Sequence, residues 1–209
     1  MPERFHSGGV ARLGGYALVL HHYWNRPGGG ELVCATSAYA LERMGFSPVL
    51  VSPVAIRVDR YPEWFGIDLS RYRRYSTGVE LGTFGLYLRL LVGYVGRMAL
   101  SRYDPGLVFV DTSAYGPMVG EVRRRGVALV EYIHFPLEVF ARRGAPHHGE
   151  DPYILERYGR FPLSLYWRVY TRVLPRFLRG NPFEVASAVL ANSRWTADLA
   201  RELYGEAPE

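Results

Sequence analysis

Imidazole, carboxylate and glycine-rich backbone recur in this chain where apolar runs end, and these are the groups able to do chemistry. His134 closes the stretch Glu131-Tyr132-Ile133-His134-Phe135-Pro136. An imidazole titrates near neutrality, so it can exchange a proton with a substrate, and it can equally satisfy a buried carbonyl. Asp111 closes Leu107-Val108-Phe109-Val110-Asp111, ahead of a short loop containing Tyr115. Its carboxylate can orient a substrate hydroxyl or cap the helix that follows, and the sequence favours neither. Gly28, Gly29 and Gly30, followed by Glu31 and preceded by Tyr23 and Asn25, lie between an apolar run and a helix-forming segment. The free N–H groups of a helix's first turn attract an anion, and glycines let a phosphate approach the backbone, although a glycine triplet also serves as a plain flexible turn. Asn192, Ser193, Trp195 and Thr196 stand at a helix start, where capping alone accounts for Ser193. The adjacent pairs His21-His22 and His147-His148 point neighbouring strand side chains to opposite faces, and no His-Glu-x-x-His helix exists, so no metal site is expected. Cys34 stands alone, which excludes a disulfide framework and a cysteine zinc site.

Two familiar phosphate loops fail on specific residues. The dinucleotide pattern needs a third glycine where, counting from Gly28 and Gly30, Val33 stands, and an acid after the second strand where Val51, Ser52 and Pro53 stand. A Walker loop needs a lysine, and the chain has none: all 25 basic residues are arginine.

The elements that must position these groups follow from the apolar pattern. Ala17 to Leu20 reads as a strand, Asn25 to Gly30 as a turn and Glu31 to Met44 as a helix ended by Gly45. Pro48 to Val51 is a second buried strand. Ile56 to Gly78 has no clear period and is placed on the surface, with a short strand near Tyr72. Thr83 to Tyr103 reads as a helix with a thin stripe of small or charged residues (Gly85, Arg89, Gly93, Arg97, Ser101) on a greasy rod. Such a helix packs on a sheet or touches a bilayer. Further strands end at Asp111, near His134 and near Asn192, and further helices run from Gly116 to Gly126, from about Ser164 to Arg179 with a break at Pro175, and after Ser193 as its N-cap. Strands alternating with helices call for an α/β fold: a doubly wound, Rossmann-like parallel sheet with helices on both faces, over residues 16–209, after a flexible N-terminus at 1–15.

Three of these stretches resemble one family. His21-His22-Tyr23-Trp24-Asn25-Arg26-Pro27-Gly28-Gly29-Gly30-Glu31 is similar to the His-Pro-Tyr-Cys-Asn, glycine run, Glu opening of the Alg11-type α-1,2-mannosyltransferases of glycosyltransferase family 4, which build the dolichol-linked oligosaccharide; here His22 replaces the Pro and Trp24 the Cys. Tyr132-Ile133-His134-Phe135-Pro136 resembles their Tyr-Val-His-Tyr-Pro segment, and Val189-Leu190-Ala191-Asn192-Ser193-Arg194-Trp195-Thr196 their Val-x-Asn-Ser-x-Trp/Phe-Thr element. The resemblance implies the N-terminal, acceptor-side domain of a retaining GT-B enzyme. It implies His134 as the catalytic residue, Gly28 to Gly30 near the donor diphosphate, and Tyr23, Asn25, Glu31, Asp111 and Tyr115 near the acceptor. Asn192, Ser193 and Trp195 would lie at the interdomain cleft. It implies a nucleotide sugar, GDP-mannose first, a lipid-linked saccharide acceptor, and no metal or other cofactor. It also implies a C-terminal donor-binding domain, which would begin about where this chain stops at Glu209.

Composition agrees with a folded, anion-facing protein. The chain of 209 residues is long enough for a full core, nearly half its residues are apolar, and the formal charge is +5. Charge alone does not choose among nucleotide, phospholipid surface and nucleic acid, and the resemblance excludes the last. No apolar run reaches the ~18 residues of a membrane span and the start lacks signal-peptide features, so a cytoplasmic protein bound peripherally to a membrane surface is expected. Arginines interleaved with aromatics near Arg71 to Arg74, and from Phe161 to Arg179, suit that surface. The rival readings are a non-catalytic binding subunit of a split transferase and, less favoured, a nicotinamide-dependent enzyme.

Overall fold

The computed structural model describes residues 14–80, 84–136, 138–141, 156 and 158–209. The expected flexible start up to residue 13, Thr83, and the loop holding His147 and His148 lie outside the described residues.

Six strands form one parallel sheet: β1 (Tyr16–Leu20), β2 (Ser47–Ser52), β3 (Arg73–Ser76), β4 (Leu107–Val110), β5 (Ala128–Ile133) and β6 (Ala188–Ala191). Their order is β3-β2-β1-β4-β5-β6, every neighbouring pair parallel. The chain therefore winds outward from β1 in one direction, returns, and winds outward from β4 in the other. This is a doubly wound, Rossmann-like arrangement, with its topological switch between β1 and β4.

Period-two alternation divides the strand side chains between two cores. Ala17 and Val19 pack with Cys34, Ala35 and Ala38 of α1 (Gly29–Arg43). Leu18 and Leu20 pack on the other face with Val92, Val95 and Ala99 of α3 (Gly85–Tyr103) and with Met118 and Val122 of α4 (Gly116–Arg125). A strand buried on both faces needs an unbroken apolar run, and this is why β1 and β4 were legible as such. Gly126, with φ 63°, ends α4 in the left-handed conformation, as its place after three arginines predicts.

Three expectations are corrected. The segment from Ile56 to Gly78 is not merely surface: Val58, Tyr61, Leu69 and Tyr72 are buried in the α1-side core, and α2 (Tyr61–Phe65) lies within it. The segment is irregular, so its buried residues follow no period. The stripe on α3 is not solvated along its whole length either: Gly85, Arg97 and Ser101 are exposed, but Gly93 is buried, as is Gly96 one turn on. A Cβ on Gly93 would lie 2.9 Å from Cα of Tyr115, and one on Gly96 would lie 2.7 Å from Sδ of Met118. These glycines allow α3 to sit close to α4 and β1, and the greasy positions Leu91, Tyr94 and Met98 face outward instead. Third, Tyr170 and Arg179, read as part of an aromatic and basic surface, are both buried.

The remaining helices are short: α5 (Glu138–Ala141), α6 (Leu163–Val173) followed by a 3-10 turn at Leu174–Arg176, α7 (Pro182–Val185), and α8 (Arg194–Tyr204). The backbone of Glu209 covers part of the β6 edge, accepting from the Ala191 N–H at 3.1 Å and donating to the Val189 carbonyl at 2.9 Å.

Candidate functional site

His21, Asp111 and His134 are each the first residue after a strand, β1, β4 and β5 respectively. Those strands are neighbours in register, with Leu20 opposite Val110 and Val110 opposite Glu131, so the three side chains meet at the carboxyl edge of the sheet. They line a cavity of about 320 Å³ together with His22, Gly30, Arg89 and Ser113. It opens beside the switch between β1 and β4, where doubly wound folds hold ligands.

Oδ2 of Asp111 accepts from Nδ1 of His21 at 2.7 Å and from Nε2 of His134 at 3.3 Å. Nε2 of His21 lies 3.5 Å from the Glu31 carboxylate. Burial opposes a charge on His21, but the adjacent Asp111 carboxylate and Cys34 together outweigh it and hold the pKa well above the usual imidazole value. Burial likewise opposes ionisation of Asp111, yet the His21 charge and the two imidazole hydrogen bonds take it far below the usual carboxylate range. His22 is pushed well below the usual value by burial, then by the His21 and Arg89 charges, and is neutral at pH 7. The centre is thus an ion pair, His21⁺ with Asp111⁻, against which His134 rests. Oδ1 of Asp111 and Oγ of Ser113 are buried without a hydrogen-bond partner, and both residues line the cavity. Asp111 does not cap α4; the N-cap there is Tyr115.

The glycine loop is tighter than its sequence suggests. Helix α1 starts at Gly29, two residues earlier than expected, with Gly28 as an extended N-cap. A Cβ on Gly30 would stand 3.0 Å from Cε1 of His21 and 3.2 Å from Oδ2 of Asp111, so glycine there lets the first helical turn press on the ion pair. Glu31, the third helical residue, folds back: a Cβ on Gly28 would be 2.4 Å from its Oε2. Its carboxylate therefore fronts the helix start that a donor phosphate was expected to occupy, the placement of the acid in a capping box.

Other sequence-derived candidates have structural partners. Asn25 donates from Nδ2 to the Ala55 carbonyl at 2.9 Å and accepts the Arg57 N–H at 2.8 Å, clasping the loop after β2. Tyr23 is half-buried with the Arg26 guanidinium 5.8 Å from its ring centre. Tyr115, expected at the acceptor, is fully buried and donates to Oε2 of Glu131 at 2.6 Å. Asn192 donates from Nδ2 to the His134 carbonyl at 3.0 Å, while the Thr196 hydroxyl donates to Oδ1 of Asn192 at 2.7 Å. Ser193 caps α8 by accepting the Thr196 N–H. Trp195 stacks on Phe135, which lines the cavity, with ring centres 5.9 Å apart. The third motif thus brackets the backbone that carries His134.

Sequence reasoning missed two things. His21 was set aside by strand alternation, but β1 ends at Leu20 and the chain turns, leaving the His21 and His22 rings 4.5 Å apart in one cavity. Its position directly after a buried strand, like that of Asp111 and His134, was the available signal. Behind the cavity, buried Arg179 forms two hydrogen bonds to Glu131 at 2.6 and 2.8 Å, reaches Glu138 and the Tyr204 hydroxyl, and takes the Ser113 carbonyl on its own N–H at 3.2 Å. Nothing in the sequence separates Arg179 from the arginines around it.

His21, Cys34 and Asp111 place potential ligand atoms within 4.8 Å of one another. Burial pushes the Cys34 thiol up to about 12, with Asp111 adding to the shift, so a cation bound there would have to displace the thiol proton.

A family model described as Glycosyltransferase Family 4 matches residues 27–209. No curated protein matches the chain. Among solved structures, the spinosyn forosaminyltransferase SpnP is similar with a TM-score of 0.45 and 14% identity, over 85% of this chain and 45% of that one. The chain spans less than half the length of that protein.

Proposed function

Because the chain belongs to glycosyltransferase family 4, we propose that it forms the acceptor-side domain of a transferase that moves a sugar from a nucleotide-sugar donor to a hydroxyl bound in the crevice, working with a second, donor-holding domain. The observation that carries this reading is the His21–Asp111–His134 cluster at the switch point, all three residues lining the cavity and one Asp111 carboxylate oxygen having no hydrogen-bond partner. Asp111 is too weak a base to remove a proton, since the His21 charge and the imidazole hydrogen bonds hold its pKa so low. Its role is to accept a hydrogen bond from the attacking hydroxyl through Oδ1 and hold it in line. In the transfer, the bond between the sugar's anomeric carbon and the diphosphate breaks, a bond to the acceptor oxygen forms, and the hydroxyl proton leaves with the nucleoside diphosphate. His134 is held by Asn192 and hydrogen-bonded to Asp111, and we assign it to the transferred sugar on the resemblance of its segment to the family's His-x-Pro element. Retention at the anomeric carbon, GDP-mannose as donor and a lipid-linked saccharide as acceptor are the finer reading, supported by the resemblance of the three motifs.

The test is transfer of labelled sugar from GDP-mannose, and in parallel from UDP-glucose and UDP-N-acetylglucosamine, to polyprenyl-linked saccharides by the enzyme containing this domain. Transfer from one donor, lost on the order of 100-fold or more in the His134→Ala variant, is expected. Unimpaired turnover by that variant, or no transfer from any donor, overturns the reading.

A further inference from the structure

A different surface carries its own signature. Helices α3 and α6 lie side by side, with the Tyr87 ring 4.9 Å from that of Tyr166 and 5.8 Å from that of Tyr170. Their shared core of Leu90, Tyr170 and Leu174 is closed, yet their outer sides remain apolar. Phe161 is 82% exposed, Phe84 59%, Leu165 53%, Leu163 46% and Val169 43%. Phe84 precedes α3 and Phe161 precedes α6, and the Phe84 ring lies 6.0 Å from that of Tyr166, so these side chains gather at the leading ends of both helices. Along α6 the exposed positions are Leu163, Leu165, Arg168, Val169 and Arg172, and Arg176 follows.

The charge along these segments is mostly basic. From Gly159 to Phe183 there are five arginines and no acidic residue, Arg179 being buried against Glu131 and Glu138, with the exposed Glu156 just before; α3 has three arginines, of which Arg89 lines the cavity, and no acidic residue. Arg168, Arg172 and Arg176 are exposed. No helix among the described residues is long and apolar enough to cross a membrane. A partner protein of ordinary composition would answer such a face with scattered carboxylates over apolar patches. A lipid surface answers it with phosphates in one plane above hydrocarbon, which fits apolar tips ringed by arginine.

We propose that Phe84, Phe161, Leu163 and Leu165 enter the headgroup layer of an anionic membrane while Arg168, Arg172 and Arg176 engage lipid phosphates, with α6 lying along the surface. This does not depend on the assignment of the crevice. The test is flotation of the 209-residue chain with vesicles of phosphatidylcholine alone and of an equal mixture with phosphatidylglycerol, at low and high salt. Binding is expected to the anionic vesicles and to weaken with salt. Exchanging Arg168, Arg172 and Arg176 for Ser together should weaken it about 100-fold, at roughly fivefold for each charge near the surface. The pair Phe161→Ser and Leu165→Ser should weaken it about tenfold or more at any salt. All five side chains are exposed, so circular dichroism should show unchanged folds, and the salt dependence of the unsubstituted chain stands as a second readout. No binding to either vesicle, binding indifferent to the substitutions, or sedimentation in which the apolar pair merely converts a dimer to monomer overturns the proposal.

Discussion

The Asp111→Asn substitution isolates the ion pair at the centre of the site, because it keeps the shape and one hydrogen-bond acceptor while removing the charge. At 2.7 Å from Nδ1 of His21, the carboxylate supplies a gross attraction of about 6 kcal/mol at an effective dielectric constant of ~20. Much of that offsets the burial of two charges, and breaking a buried pair by removing one partner typically costs about 3–5 kcal/mol. His21 can shed its proton once Asp111 is gone, so the lower end, about 3 kcal/mol, is expected at pH 7, a fall in Tm of roughly 6–12 °C for a chain of this size. The pH dependence fixes the cause. The folded-state pKa of His21 is raised, so its contribution is complete below the unfolded value of about 6.5 and is lost as pH rises through the folded value. That of Asp111 is lowered, so its contribution is present above about 3.8 and is lost as pH falls. The stability gap between the two proteins should therefore be widest between about pH 4 and 6.5 and narrow as pH rises through the folded-state value of His21. Urea denaturation followed by circular dichroism across a pH series upward from about pH 5 measures it. A gap that stays constant over the whole alkaline range in which the protein remains folded, or one under about 1 kcal/mol at about pH 5, would falsify the ion-pair account.

Two further substitutions and one labelling experiment follow from the packing. Gly93→Ala drives a methyl against backbone, 2.9 Å from Cα of Tyr115, whereas Gly96→Ala meets the ends of Leu20 and Met118, which can rotate away. The first should cost about 1–3 kcal/mol from overpacking, less the ~1 kcal/mol gained by replacing a helical glycine, and the second should be near neutral. Thermal unfolding distinguishes them, and the reverse order refutes the close-contact reading of α3. Cys34, buried and with its thiol pushed up to about 12, should resist iodoacetamide at pH 8 in the folded protein and react only after denaturation. Mass spectrometry showing native labelling at the rate of a free thiol would remove it from the core.

Much of the fold was legible because a parallel sheet buries its strands on both faces and so writes them as apolar runs: β1, β4 and β5 stood out for that reason. Glycine or serine at helix ends, as at Gly126 and Ser193, supplied boundaries through local backbone chemistry. The site was half legible. Asp111 and His134 were found because they follow such runs, while His21 was lost by extending strand alternation one residue past the strand's end. Tyr115 shows the opposite error: a loop aromatic beside Asp111 suggested ligand contact, but its ring turns inward to hold Glu131. Gly93 was read as part of a polar stripe because a small residue looks the same in sequence whether it meets water or another backbone.

Arg179 gathers groups from distant parts of the chain: Glu131 on β5, Glu138 at the start of α5, Tyr204 at the end of α8, and the Ser113 carbonyl beside the cavity. If β5 or α5 peeled away alone, its carboxylate would be left without the guanidinium in a dry interior, at a cost of several kcal/mol. Separation of Glu131 or Glu138 from Arg179 is therefore suppressed, and β5, α5 and the Arg179 segment come apart together or stay closed together. Amide hydrogens in β5 and in the residues flanking Arg179 should consequently exchange with one shared opening energy.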